Sequence, residues 1–117
     1  MKLTLYNVDK LIQKRTENKQ KAYYFNQEFA IIQGKKGIMV TDFYCSFTIH
    51  KSADTILNLE VLNADAEPDQ IMEDGYINLS IKEIIEEAPK TEIEATEFFH
   101  KSNSEKYDKL EKALRKL

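Results

Sequence analysis

A chain of 117 residues is the size of one domain, and its 42% apolar content is typical of a protein that buries a core. No apolar run approaches the roughly 20 residues that span a bilayer, and the first residues lack the apolar core of a signal peptide. The only cysteine, Cys45, has no partner for an intrachain disulfide, which suits a reducing compartment. We therefore expect a single-domain cytoplasmic protein (residues 1–117) that does not associate with membranes.

The net charge of −3 hides a division of charge along the sequence. Residues 1–51 contain nine Lys/Arg and four Asp/Glu, so this part is basic. Residues 52–99 are acidic, with two Lys/Arg and thirteen Asp/Glu, and residues 100–117 are basic again, with six Lys/Arg and three Asp/Glu. Segregated charge of this kind produces a dipolar surface that can orient a charged partner. The alternative interpretation is that the basic and acidic regions neutralise each other in the fold.

The first third of the chain predicts strand, helix and strand. Apolar and polar residues alternate over 2–8, which indicates a strand. Asp9 is the predicted N-cap of a short polar helix from Lys10 to about Lys19, because its carboxylate can accept hydrogen bonds from free amides. A strand-like segment follows over 22–33, interrupted at 26–28 by a predicted turn or bulge.

The glycine-flanked pair of lysines that follows predicts the tip of a β-hairpin. Gly34 and Gly37 can adopt a positive φ at little steric cost, as tight hairpin turns require. Beyond the tip, apolar and polar residues alternate as far as His50, which predicts one long strand with Cys45 on its buried face. Asp42 lies in this segment, where a carboxylate either marks a bulge or faces water, and we expect it to face water.

The second half of the chain predicts further strands and two helices. Alternation indicates strands over 55–62, 76–79 and 91–99. Ser80 and Glu83 match a capping box, and Pro89 ends the helix that this box begins. The final helix, capped by Ser102 or Ser104, combines an apolar stripe with a basic face.

The order of these elements indicates an α+β domain. Short connections favour a mostly antiparallel sheet, with two or three short helices at its edges or ends. Because closure removes exposed strand edges, we expect this small sheet to form a β-barrel.

Catalytic and metal-binding signatures are absent from the sequence. The histidines, His50 and His100, lack metal-ligand spacing, and Cys45 and His50 would point to opposite faces of one strand. The G-K-K-G segment lacks the spacing of a phosphate-binding loop, and the acidic residues near Pro68 do not fit an EF-hand. We therefore expect a protein that is not an enzyme and needs no metal or cofactor.

Basic and aromatic residues indicate a nucleic-acid interface instead. Lysine and arginine can neutralise phosphates, and tyrosine can stack on bases, at about 1–3 kcal/mol per base. The candidate RNA-binding residues are Lys10, Lys14, Arg15, Lys19, Tyr23, Tyr24, Lys35, Lys36 and Tyr44. The basic C-terminal helix is a further source of phosphate contacts. A pI of about 5.4 opposes this hypothesis, since dedicated RNA-binding domains are usually basic.

In its length, acidity and order of strands and helices, the chain resembles the PrgU-like regulators of pheromone-responsive conjugative plasmids. The resemblance covers essentially the whole chain and transfers no site residue. It implies a PUA-like barrel and an RNA-binding regulator that limits expression of conjugation and surface-adhesin genes. The alternative is a protein-binding modulator that acts through the acidic loop at 63–75 or the C-terminal helix. A structural accessory without a ligand is a third interpretation.

Overall fold

The computed structural model describes residues 2–17, 20–22, 28–63, 75–99 and 104–117. The elements in chain order are β1 (Lys2–Asn7), α1 (Val8–Arg15), β2 (Gln20–Ala22), β3 (Glu28–Gln33), β4 (Ile38–Thr41), β5 (Phe47–His50), β6 (Ile56–Asn63), β7 (Tyr76–Ser80), α2 (Ile81–Glu87), β8 (Lys90–Glu94), α3 (Ala95–Phe98) and α4 (Ser104–Lys116). Every strand pair within these ranges is antiparallel.

The strands form two antiparallel sheets. One has five strands in the order β5-β4-β3-β1-β8, and the other has three in the order β2-β6-β7. With four helices in the described ranges, the domain belongs to the α+β class that the sequence predicts. The expected barrel is not seen, because no strand pairing among the described residues joins the two sheets or closes either one.

The five-stranded sheet separates two hydrophobic clusters, because successive side chains of a strand point to opposite faces. Phe29 and Ile31 of β3 pack in a cluster with α1, α2 and the three-stranded sheet. Ala30 lies between them in the chain and packs in the other cluster, with Phe98 of α3 and Leu110 of α4. Helices α1 and α4 therefore lie on opposite faces of this sheet.

Helix α1 begins two residues earlier than the sequence predicts. Its N-cap is Asn7, whose side-chain oxygen accepts a hydrogen bond from the Lys10 amide at 3.0 Å. Asp9 is instead buried in the first turn, where its carboxylate accepts a hydrogen bond from the Gln13 amide group at 3.2 Å. The short helix is held by apolar residues, including the fully buried Ile12, that face the sheet.

The predicted hairpin between β3 and β4 is confirmed, but the role of its glycines is different. The Gly34 amide donates to the Gly37 carbonyl at 2.9 Å, yet neither glycine has a positive φ. A Cβ atom on Gly34 would overlap the main chain of Leu117, and one on Gly37 would lie 3.1 Å from the His50 carbonyl oxygen. Glycine is required here because other segments approach the backbone closely.

The long strand predicted as far as His50 is two strands joined by a tight turn. Asp42 is buried, and its carboxylate accepts hydrogen bonds from the amides of Tyr44 at 2.9 Å and Ser46 at 3.0 Å. Cys45 adopts a φ of 63° within this turn. Phe43, Cys45 and Phe47 all pack in the α4 cluster, so apolar alternation continues through the turn and conceals it in the sequence.

The capping box at the start of α2 is confirmed. The Glu83 amide donates to the Ser80 hydroxyl at 3.0 Å, and the Ser80 amide donates to the Glu83 carboxylate at 2.8 Å. The last predicted strand is shorter than expected, since β8 ends at Glu94 and α3 follows directly. Packing of Phe98 and Phe99 in the α4 cluster favours this helical turn over a longer strand.

Candidate nucleic-acid interface

The candidate RNA-binding residues divide into three groups in the structure. Lys19, Tyr23 and Tyr24 lie outside the described residues, as does most of the acidic loop, at 64–74. Lys10, Lys14 and Arg15 belong to α1, on one face of the five-stranded sheet. Lys35, Lys36 and Tyr44 belong to the two turns that connect β3, β4 and β5.

Arg15 makes a structural contact rather than presenting a free charge. Its guanidinium forms ion pairs with Glu83, at 3.5 Å, and with Glu87, and so links α1 to α2. The Ser80 backbone amide, and to a smaller extent the Arg15 guanidinium, hold the pKa of the Glu83 carboxyl below its ordinary value. At this position basic and acidic segments do neutralise each other, as the alternative interpretation of the charge pattern expects.

The structure does not bring the α1 lysines together with the hairpin tip. Asn7, which caps α1, pairs with Glu28 at the start of β3, whereas the tip follows Gln33 at the end of that strand. Lys10 and Lys14 are exposed on a helix that begins at one end of the sheet, and Lys35 and Lys36 extend from the other end.

The hairpin tip instead meets the end of α4. The Lys36 amide donates a hydrogen bond to the Leu117 carbonyl at 3.2 Å, and the absence of a side chain on Gly34 makes room for Leu117. The side chains of Lys35 and Lys36 are exposed beside this contact. Two basic segments from distant parts of the sequence therefore adjoin each other.

Helix α4 contributes an exposed stripe of lysines. Lys109, Lys112 and Lys116 are spaced i, i+3 and i+7, which aligns them along one flank of the helix. Glu111 lies on the other flank, where its carboxylate is 3.8 Å from the Arg115 guanidinium. We call Lys35, Lys36, Lys109, Lys112 and Lys116 together the basic surface.

Tyr44 lies near the opposite end of α4 from the hairpin tip. Burial raises the pKa of the neighbouring Cys45 thiol, the Asp42 carboxylate raises it further, and Lys106 acts in the opposite direction. The electrostatic effect of Lys106 on Cys45 indicates that the first turn of α4, which contains Lys106, lies close to the β4–β5 turn. Because Leu117 at the other end of α4 contacts the β3–β4 tip, the helix runs from that turn to the tip. Tyr44 is 59% exposed.

The sequence predicts the C-terminal helix as a further source of phosphate contacts, but it does not single out the α4 lysines as site residues. The i, i+3, i+7 spacing of Lys109, Lys112 and Lys116 is visible in the sequence opposite the leucine stripe. Their proximity to Lys36 was not visible, because it depends on how Leu117 packs against Gly34.

The described parts of the chain contain no arrangement typical of a metal centre or a membrane span. Within them, no three His, Cys, Asp or Glu side chains are grouped closely enough to hold a metal ion. The helices in those same ranges are all too short or too polar to cross a bilayer.

Comparison with known proteins assigns the chain to no family, since no family model, curated protein or solved structure matches it. A functional inference therefore depends on the chemistry of the basic surface and not on the activity of a relative.

Proposed function

We propose that the protein is a non-enzymatic RNA-binding regulator that contacts its transcript through the basic surface. The observation that carries the proposal is the contact between Leu117 and the hairpin tip, which unites the Lys35–Lys36 pair with the lysine stripe of α4. No ion pair within the described residues involves any of these five lysines. Lysines without ion pairs can neutralise RNA phosphates and release their counterions, which favours binding.

The acidic pI is compatible with this proposal, because several acidic residues that the structure describes lie away from the basic surface, although Glu105, Asp108 and Glu111 are on α4 itself. Glu83 and Glu87 of α2 belong to the face of the five-stranded sheet opposite α4, where they pair with Arg15. Glu92 lies on β8, the edge strand farthest from β5 in the sheet order. The local potential at a site, rather than the net charge of the chain, governs the attraction of an anionic ligand.

The biological role in the proposal follows from the resemblance to the PrgU-like regulators. Such a protein would bind transcripts and thereby limit expression of conjugation and surface-adhesin genes.

The test compares two matched double variants of the full chain. Lys35→Glu/Lys36→Glu alters the basic surface, and Lys10→Glu/Lys14→Glu makes the same charge change on α1, across the sheet. Fluorescence anisotropy with a labelled mixed-sequence RNA at low salt measures the affinity of each variant for RNA. We expect the hairpin variant to bind roughly tenfold more weakly and the α1 variant to bind within about twofold of the unaltered protein. Circular dichroism melting checks that both variants fold.

Equal weakening of both variants, or none in either, would remove the basic surface from the mechanism. Crosslinking in cells then separates the remaining interpretations. Recovery of RNA with the unaltered protein supports the proposal, whereas recovery of a protein partner without RNA supports the modulator alternative. Protein prepared without nuclease gives an early indication, because bound RNA raises the ratio of absorbance at 260 nm to that at 280 nm.

A further inference from the structure

Tyr44 presents an exposed aromatic ring that is supported from the core. Its ring centroid lies 4.1 Å from that of Phe43, with the two planes tilted by 38°. Phe43 in turn contacts the edge of Phe98, at 6.5 Å between centroids, and Phe98 is buried under α4. A ring held in this way loses little conformational freedom when a ligand stacks on it.

The separation between Tyr44 and the hairpin tip corresponds to a short stretch of nucleic acid. The two turns lie at opposite ends of β4, and the run from Gly37 to Asp42 spans about 16 Å at the usual rise of a strand. The helical rise from Lys106 to Leu117 also gives about 16 Å. At about 3.4 Å per stacked nucleotide, four or five nucleotides cover this distance.

We infer that the ligand of the basic surface is single-stranded RNA, in which one base stacks on Tyr44 and the adjoining phosphates contact the lysines of α4 and the hairpin tip. This inference rests on the proposed function and adds the class of RNA and the length of the site. An unpaired base offers a free face to an aromatic side chain, whereas bases inside a duplex are already stacked on their neighbours.

The chain provides a matched control for the stacking residue. Tyr76 on β7 is 63% exposed, comparable to Tyr44, but it belongs to the three-stranded sheet and to neither turn of the basic surface. Tyr44→Leu removes the aromatic face and keeps apolar bulk, while Tyr44→Phe keeps the ring. Neither substitution alters the backbone amide of Tyr44, which donates to Asp42 in the unaltered protein.

The experiment measures anisotropy of the full chain with labelled oligouridine of two, four, six and ten nucleotides, and with a blunt RNA duplex. We expect affinity to rise up to about six nucleotides and little beyond. Tyr44→Leu is expected to weaken binding of the hexamer roughly tenfold, with Tyr44→Phe and Tyr76→Leu close to the unaltered protein.

Two results would overturn the inference while leaving RNA binding intact. One is tighter binding of the duplex than of the hexamer, and the other is unchanged binding by Tyr44→Leu. Failure of the unaltered protein to bind either RNA at low salt would overturn the proposed function itself.

Discussion

The Asp42 carboxylate accepts a hydrogen bond from the Ser46 amide at 3.0 Å and so closes the turn between β4 and β5. The same carboxylate accepts from the Tyr44 amide at 2.9 Å, and the Asp42 side chain is buried. This turn ends β4 and orients the ring of Tyr44. A side chain that the sequence predicts to face water is therefore the centre of a structural turn.

Replacement of Asp42 by alanine is expected to destabilise the protein by about 1–3 kcal/mol, because it leaves amides in a partly buried turn without their acceptor. Urea denaturation followed by circular dichroism measures the free energy of unfolding. Asp54→Ala is the control, since Asp54 is exposed in a neighbouring turn. Equal stability of the two variants would show that the Asp42 hydrogen bonds contribute nothing.

Gly34→Ala is expected to displace the end of α4 from the hairpin tip, because a Cβ atom at this position overlaps Leu117. Such overpacking costs about 1–3 kcal/mol, measurable by thermal unfolding. Gly75→Ala is the matched control, since among the described residues no atom beyond its chain neighbours would lie within 4 Å of its Cβ atom. If Gly34→Ala is as stable as Gly75→Ala, the contact with Leu117 does not hold α4 in place.

Arg15→Gln is expected to lower the free energy of unfolding by at most about 1 kcal/mol, because its ion pairs with α2 are partly exposed. The loss should shrink as salt is added, since salt screens exposed charges. Lys14→Gln, one residue earlier on the exposed side of α1, is the control and should leave stability unchanged. A larger effect of Lys14→Gln than of Arg15→Gln would contradict the assigned link between α1 and α2.

The stabilising effect of Glu83 should disappear in acid. Because the Ser80 amide and Arg15 hold the pKa of Glu83 below its ordinary value of 4.5, the carboxylate stabilises the folded state above that value, and the contribution is lost as pH falls through the lower, folded-state pKa. Melting temperatures of the unaltered protein and of Glu83→Gln should therefore differ at pH 7 and converge once the pH falls below the folded-state pKa of Glu83. Glu86→Gln, on an exposed position of the same helix, should show no such convergence.

Local signals in the sequence predicted several elements correctly. The Gly34–Gly37 tip, the Ser80–Glu83 capping box and the apolar stripe of α4 each involve residues a few positions apart. They act within one turn or one hairpin, so their physical basis does not depend on the rest of the fold. The turn at Asp42 was missed because apolar alternation continues through it and resembles an unbroken strand.

The candidate site was only partly predictable, because it depends on contacts between residues that are far apart in the sequence. Lys35 and Lys36 were recognised as an exposed basic tip, and both are exposed in the structure. Arg15 was predicted to be a positive charge available to RNA. Its ion pairs with Glu83 and Glu87 join two helices that are far apart in the chain, so they are not visible in the sequence.

The sequence by itself determined the α+β class, the antiparallel pairing of neighbouring strands, the hairpin tip at Gly34–Gly37 and the capping box at Ser80–Glu83, because periodicity and capping operate over a few residues. The tertiary structure alone decided that α1 and α4 lie on opposite faces of the five-stranded sheet and that Leu117 reaches Gly34. These relationships arise from packing between distant segments, which bury apolar surface together wherever their shapes fit. The basic surface, and with it the proposed function, depends on that packing.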